Sequence, residues 1–411
     1  MDAEKKPALK SPVSAVKNMV RSCGRAVLRR ISDRHIRKLS KKKCTSSKIQ
    51  VAFLVQMPEL WIKIESVYER MNADDRFETC LIIVPAYDFA NSHEGETYGD
   101  ELQYFTRIAG NRKYIIAYED AKWKDLSGMG FDYLFYQRPY EDYLPKQYRT
   151  QNTGKYVKVC YIPYATNELK KTVTYPADFF RNIYFAFMDN DSVAEENNEN
   201  YPHRGHTSFL SIGYPLFETC LKINAQCNYN VALWTPRWSY DPYFGGSHFF
   251  EYNEYMTEWK WDERKLVIRV HPLLWDNFIK ENRLTEDEAE RIRSQWLKNG
   301  IEIDKNKSIL DTYETTDILI SDRSSVIPIF FLTGKPVIYC PTETDYSWLY
   351  QKILPGFYMA NNQEDLDSIL KSLLNGDDPL KETRREIIDA NFAFNSNATE
   401  NIVNRIAEDA R

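Results

Sequence analysis

The sequence predicts an α/β protein in which two Rossmann-like halves face a cleft, preceded by a basic amphipathic helix. From residue 49 onward, short apolar runs alternate with amphipathic segments, the pattern of a parallel sheet covered by helices on both faces. The alternation breaks at an acidic, Asn-rich stretch and then resumes. The chain has 411 residues, 43% hydrophobic and 14% aromatic, enough apolar material for two cores. With 15 Gly and 18 Pro it is neither collagen-like nor low-complexity.

The first element is the arm, residues 1–48, with 15 Lys or Arg against 3 acids; the remainder holds 39 against 56. Val13, Val16, Val20, Cys23, Val27 and Ile31 recur at helical spacing, and Lys17, Arg21, Arg25, Arg29 and Arg30 fall largely off that stripe. An apolar stripe flanked by cations suits the headgroup region of an anionic membrane surface. A tail or a helix docked on the body is the alternative, and Gly24 weakens the helix. An acidic body without an RNP-like or zinc-finger pattern argues against nucleic acid. No apolar run approaches the ~20 residues of a spanning helix. The basic start lacks a secretory signal's apolar segment. The expectation is a cytoplasmic protein, peripheral at the inner face of the cell membrane. Seven scattered cysteines, without a C-x-x-C pair, read as reduced and structural.

In the first half, expected at residues 49–224, strands are predicted at Ile49 to Val55, Phe77 to Pro85, Tyr114 to Tyr118, Tyr133 to Tyr136 and Val157 to Ile162. A helix is predicted at Trp61 to Met71. Asp189 to Gly205 reads as a surface loop, and Phe209 to Ile212 as a strand before Gly213-Tyr214-Pro215. The second half, residues 225–411, places strands at Asn230 to Thr235, Lys265 to Val270, Ile318 to Ser321 and Pro336 to Cys340. Its helices are predicted at Phe249 to Trp261, Thr285 to Lys298, Ser325 to Thr333, Leu366 to Leu374 and Thr399 to Ala407. Thr285 and Glu288 have capping-box spacing.

Three strand ends in the second half carry chemistry. After Ile318-Leu319-Ile320 come Ser321-Asp322-Arg323-Ser324-Ser325, hydroxyls opening a helix, where a phosphate fits and simple capping is the alternative. Arg269 and His271 alternate to one face before Pro272 ends the strand. Trp234-Thr235-Pro236-Arg237-Trp238 adds a third cation between two rings that could stack on a base. Together they describe a pocket for a diphosphate. No metal-ligand cluster stands out in the sequence, and no cofactor is expected.

The succession W-T-P-R-W, Phe-Phe-Glu-Tyr, R-V-H-P, and I-S-D-R-S-S with G-K-P-V-I-Y resembles the CDP-glycerol glycerophosphotransferase family, which primes and polymerises teichoic acids and capsular phosphopolymers. The resemblance covers roughly residues 225–360, with a vaguer likeness from residue 49. It implies a GT-B fold, with the nucleotide donor on the C-terminal domain and the acceptor on the N-terminal one. It implies that His271, Ser324 and Ser325 hold the donor pyrophosphate, with Arg269 and Arg237 as supporting cations. His271 and Arg269 are the candidate catalytic pair. Asp322 would shape the loop, Trp234 would lie by the base, and Glu343, with Asp345, would lie near the ribose.

The chain departs from the family at the Trp-His-Gly motif, whose histidine is the presumed base on the acceptor. Here the region reads Cys160-Tyr161-Ile162-Pro163-Tyr164-Ala165-Thr166. His203 and His206 are the weak substitutes; His93 and His248 stand in no motif. The expected reaction moves a polyol phosphate from a CDP-linked donor to a hydroxyl of a lipid-linked or polymeric glycan acceptor, releasing CMP. The alternatives are a GT-B glycosyltransferase using a nucleotide sugar and a non-catalytic assembly protein at the membrane surface.

Overall fold

The structure is a computed structural model, and it describes residues 12–85, 97–165, 177–241, 246–261, 263–306, 308–342 and 346–411. Strands in chain order are β1 (Ile49–Val55), β2 (Phe77–Ile83), β3 (Tyr114–Ile116), β4 (Tyr118–Glu119), β5 (Lys122–Trp123), β6 (Tyr133–Tyr136), β7 (Lys158–Tyr161), β8 (Phe185–Phe187) and β9 (Phe209–Leu210). The second half adds β10 (Val231–Thr235), β11 (Lys265–Ile268), β12 (Glu302–Ile303), β13 (Ile318–Asp322), β14 (Val337–Cys340) and β15 (Tyr358–Met359).

They form a seven-stranded sheet, β3-β2-β1-β6-β7-β8-β9, and a six-stranded sheet, β12-β11-β10-β13-β14-β15, with β4 and β5 as a small hairpin. Every pairing in the two large sheets is parallel. The period-2 geometry of a strand sends alternate side chains to opposite faces. In β1, Val51, Phe53 and Val55 enter one core while Ala52 and Leu54 enter another. Both faces are covered by helices, so the strands read as apolar runs.

Local rules place the helices. Thr285 caps Glu286–Lys298 with a complete capping box to Glu288. The stretch read as a surface loop instead contains a helix, Asp191–Asn200, whose Asn190 side chain accepts from the Val193 N–H. Only Ala194 of that helix is buried, so apolar periodicity had nothing to report; the cap starts it.

The N-terminal helix spans Pro12–Leu39. Its last turns dock on the first half: Ile36 and Leu39 are buried, Ser32 donates to Asn182 at 2.7 Å, and Asp33 accepts from the Arg204 N–H at 2.8 Å. Val27, Leu28 and Ile31 remain exposed. The side chains of Val13, Val16, Lys17, Val20, Arg21, Cys23 and Arg25 lie outside the described residues.

At the other end, the helix Ala398–Ala410 returns to the first half, packing on the helix Glu65–Asn72. Arg70 pairs with Glu400 at 2.7 Å. Gly213, at φ 107°, lies beneath this crossing: a Cβ there would stand 2.7 Å from that of Ala398, so only glycine fits. One apolar cluster runs through the junction, joining Tyr214 and Phe217 to Leu319, Val337 and Ile402.

Candidate active site

In the six-stranded sheet β10 lies between β11 and β13. Connections leave this point toward opposite faces, which opens a crevice beyond the carboxyl ends of the strands. The two central strands are locked there: Thr235 Oγ1 donates to Ser321 Oγ at 2.7 Å, and Ser321 Oγ is 3.0 Å from the Thr235 carbonyl. Asp322, buried at the end of β13, then gathers the loop after β10. Its carboxylate accepts from the Arg237 N–H at 2.9 Å, Ser247 Oγ at 3.2 Å and the His248 N–H at 3.3 Å. It also meets His248 Nδ1 at 2.8 Å. Asp322 therefore shapes the loop, as a carboxylate facing inward must.

That loop carries Arg237 across the crevice. Its guanidinium donates to the Arg323 carbonyl at 2.8 Å and lies over the Trp238 ring, 5.6 Å from the centroid. Trp238 in turn stands 5.7 Å from the His271 ring. Arg237, His271 and the Arg323–Ser324 turn thus border one crevice. The His271 ring is exposed, yet partial desolvation and the Arg237 charge both lower its pKa, so it is neutral at pH 7. Its Nδ1 accepts from the Leu273 N–H at 3.1 Å, which puts the ring proton on Nε2. Ser324 Oγ turns back to the Val326 N–H at 3.4 Å, and its backbone is held by Tyr350, whose hydroxyl donates to the Ser324 carbonyl at 2.7 Å. Ser325 stands as N-cap of Val326–Phe331 without a side-chain cap bond.

Several sequence expectations are corrected. Trp234 is 1% exposed and stacks on Phe249; it is core, and the accessible indole is Trp238. Arg269 does not offer a free charge, because its guanidinium pairs with Asp304 at 2.6 Å and bonds the Asn306 carbonyl at 2.9 Å. His203 and His206 sit near the amino ends of β8 and β9, the edge opposite the crevice. His203 is buried, and His206 Nε2 meets the Tyr184 carbonyl at 2.7 Å. Burial lowers the pKa of both. Glu343, Asp345 and His93 lie outside the described residues.

Residues 219–408 match the family model of CDP-Glycerol:Poly(glycerophosphate) glycerophosphotransferase. Over that stretch, just under half of the chain, the sequence is similar to the CDP-glycerol glycerophosphotransferase family. Solved structures agree on the fold. A His-to-Asn variant of the wall teichoic acid polymerase TagF is 16% identical with a TM-score of 0.54, covering 98% of each chain. The same variant soaked with CDPG is 16% identical with a TM-score of 0.51, covering 98% of this chain and 99% of that one. A putative UDP-N-acetylglucosamine 2-epimerase from Listeria monocytogenes is 13% identical with a TM-score of 0.54, covering 87% of this chain and 96% of that one. Two parallel sheets bridged by the last helix are the GT-B fold. A search of curated proteins by sequence returns no match.

Two features of the two strand-end clefts escaped sequence reasoning. The first is the His248–Asp322 pair: no motif joins residues 74 positions apart, and only the fold brings them together. The second is Arg138, just past β6 at the equivalent switch point of the first sheet, where β1 lies beside β6. Gln137 Oε1 accepts from the Gln56 and Met57 N–H groups at 2.9 and 2.8 Å. Arg138 Nε reaches Gln56 Oε1 at 3.2 Å, and the guanidinium covers the Tyr143 ring at 4.3 Å. Its Nη2 is buried with no hydrogen-bond partner. Burial pushes this guanidinium down to about 10, against the pull of Tyr143, Tyr140 and Tyr164. An arginine two residues past a buried strand was the available signal.

Proposed function

We propose that the enzyme transfers glycerol phosphate or a related polyol phosphate from a CDP-linked donor to a hydroxyl of a lipid-linked or polymeric cell-surface glycan. CMP is released, and the pathway is teichoic acid or capsular phosphopolymer synthesis. The observation that carries the reading is the crevice where Arg237, His271 and the Arg323–Ser324 turn meet at the ends of β10, β11 and β13. It offers a guanidinium, an Nε2–H and hydroxyls to one anion.

In the reaction the acceptor oxygen attacks the β-phosphorus while the bond from that phosphorus to the bridging oxygen breaks. CMP leaves with the electron pair. Negative charge grows on the bridging and equatorial oxygens, where Arg237 and the His271 Nε2–H donate to it. Fixed donors of this kind in a partly dry site are each worth about 3–4 kcal/mol in the transition state. Arg138 holds an anionic group of the acceptor, a phosphate of the growing chain or its lipid linker, on the other half.

The arm keeps the enzyme at the inner face of the membrane, where such an acceptor resides. Val27, Leu28 and Ile31 project from the helix beside exposed Arg29 and Arg30, apolar groups for the acyl boundary and cations for anionic headgroups.

The deciding experiment incubates the protein and an acceptor with CDP-glycerol, CDP-ribitol and nucleotide sugars, and follows the released nucleotide. CMP from a CDP-polyol alone is the expected result. Release of UDP from a UDP-sugar would replace the reading with glycosyl transfer, and release of neither nucleotide would favour an assembly protein.

A further inference from the structure

We infer that His248, oriented by the Asp322 carboxylate, is the general base that takes the proton from the acceptor hydroxyl. This rests on the transfer proposed above and names the group that reading still lacks.

The tautomers of the two crevice histidines are opposite. A carboxylate only accepts hydrogen bonds, so the 2.8 Å contact with Asp322 Oδ1 puts the His248 proton on Nδ1 and leaves a lone pair on Nε2. His271 is reversed: its Nδ1 accepts from the Leu273 N–H, leaving Nε2–H as a donor. One imidazole can receive a proton and the other can bind a phosphoryl oxygen. Carboxylate, imidazole and attacking hydroxyl then form the relay in which the carboxylate fixes the ring and steadies the imidazolium.

The other described histidines do not compete. His35 lies on the N-terminal helix, and His203 and His206 lie at the opposite edge of the first sheet. His248 is placed at the end of β13 by a carboxylate that is itself 2% exposed, while its own side chain keeps 19% exposure, enough for Nε2 to be reached. The contact is not needed to hold the loop, since Asp322 also binds three other donors. Burial lowers the affinity of His248 for a proton, but Asp322, and behind it Glu251, raise it by more. Tyr252 stacks on the ring at 5.1 Å. The raised proton affinity makes the neutral ring a stronger proton acceptor.

The proton balance closes. The acceptor O–H proton passes to His248 Nε2, the oxygen forms its bond to the β-phosphorus, CMP departs with the bridging oxygen, and the imidazolium returns its proton to water or to CMP.

The test is His248→Gln, compared with wild type for CMP release from CDP-glycerol and for the melting shift that CDP-glycerol induces. The expected result is a fall in kcat of about 10²–10⁴-fold with an unchanged melting shift. Free imidazole should partly restore turnover to His248→Ala. An active wild type with a variant kcat within about threefold overturns the base assignment alone. A wild type that turns over no CDP-linked donor overturns the transferase reading and this inference with it. Should the variants not fold, the wild type decides: kcat rising with pH through the imidazole range supports the base, and a flat profile from about pH 5 to 8 refutes it.

Discussion

Asp409 Oδ2 stands 2.5 Å from Lys158 Nζ, tying the last helix of the chain to the first sheet. The same carboxylate accepts from the Tyr133 and Tyr184 hydroxyls at 2.7 and 2.8 Å, and Lys158 is 3% exposed. Asp409→Ala leaves a buried ammonium without its partner, so it should lower stability by about 3–5 kcal/mol, read from urea unfolding. Replacing both with apolar residues, Lys158→Met with Asp409→Leu, should recover most of that loss. If the single change costs nothing, this contact does not hold the helix in place.

The same carboxylate sets a pH dependence. Burial raises the Asp409 pKa, but Lys158, Tyr133 and Tyr184 lower it by more, and the net direction is down. A carboxylate more acidic in the folded state contributes stability above its unfolded value, ~3.9, and loses it as pH falls through the folded value. Wild type should therefore lose stability on acidification below about pH 4 more steeply than Asp409→Asn. Parallel curves for the two proteins would refute the linkage.

Arg237 and Arg269, both charged and both near the crevice, should separate cleanly. Arg237→Ala removes a guanidinium that borders His271 and should lower kcat/KM for CDP-glycerol by about 10²–10³-fold. Arg269→Ala instead strands Asp304, which is 2% exposed, so it should lower the melting temperature while the folded fraction keeps its KM for the donor. Steady-state kinetics beside thermal melts distinguish the two, and equal kinetic losses would show that Arg269 also meets the donor.

The arm makes a quantitative prediction at membranes. Each Lys or Arg near an anionic surface contributes about 1 kcal/mol, so Arg29→Gln with Arg30→Gln should weaken partition into phosphatidylglycerol vesicles by roughly 30-fold. Val27→Asp with Ile31→Asp should release the protein at low salt as well. Both should leave CDP-glycerol binding unchanged. Sedimentation with vesicles that is indifferent to all four changes would remove the membrane role.

Much of this architecture was legible because strands buried on both faces leave continuous apolar runs: Ile49 to Val55 and Ile318 to Ser321 announce the centres of the two sheets. Short edge strands such as Glu302–Ile303 carry no such run. The helix after Asn190 shows one cap and almost no apolar face. The site was legible only as strand ends. Arg237 and His271 could be placed near one anion, but partner choice is tertiary: Arg269 looked equivalent to Arg237 until the edge strand supplied Asp304. Trp234 looked like a stacking platform until Phe249 covered it. His248 became visible only when β13 carried Asp322 to it.

Arg138 lies on the half proposed to bind the acceptor, and its test can separate a ligand-binding arginine from a structural one. A buried guanidinium nitrogen with no hydrogen-bond partner is costly unless an anion meets it. Among the described residues the side chain makes no ion pair, and its hydrogen bonds go to Gln56 and the Met57 sulfur. Arg138→Met keeps the packing volume and removes the charge, so the folded protein should be as stable as wild type or slightly more so. A guanidinium–phosphate contact is worth about 1.5–3 kcal/mol, so KM for a phosphorylated acceptor should rise between about 10- and 150-fold. KM for CDP-glycerol and donor-induced stabilisation should stay at wild-type values, because the donor crevice is on the other sheet. Arg138→Lys should fall between the two, keeping the charge and losing the two-pronged geometry. A melting temperature that drops in Arg138→Met while acceptor KM holds would assign this arginine to the scaffold.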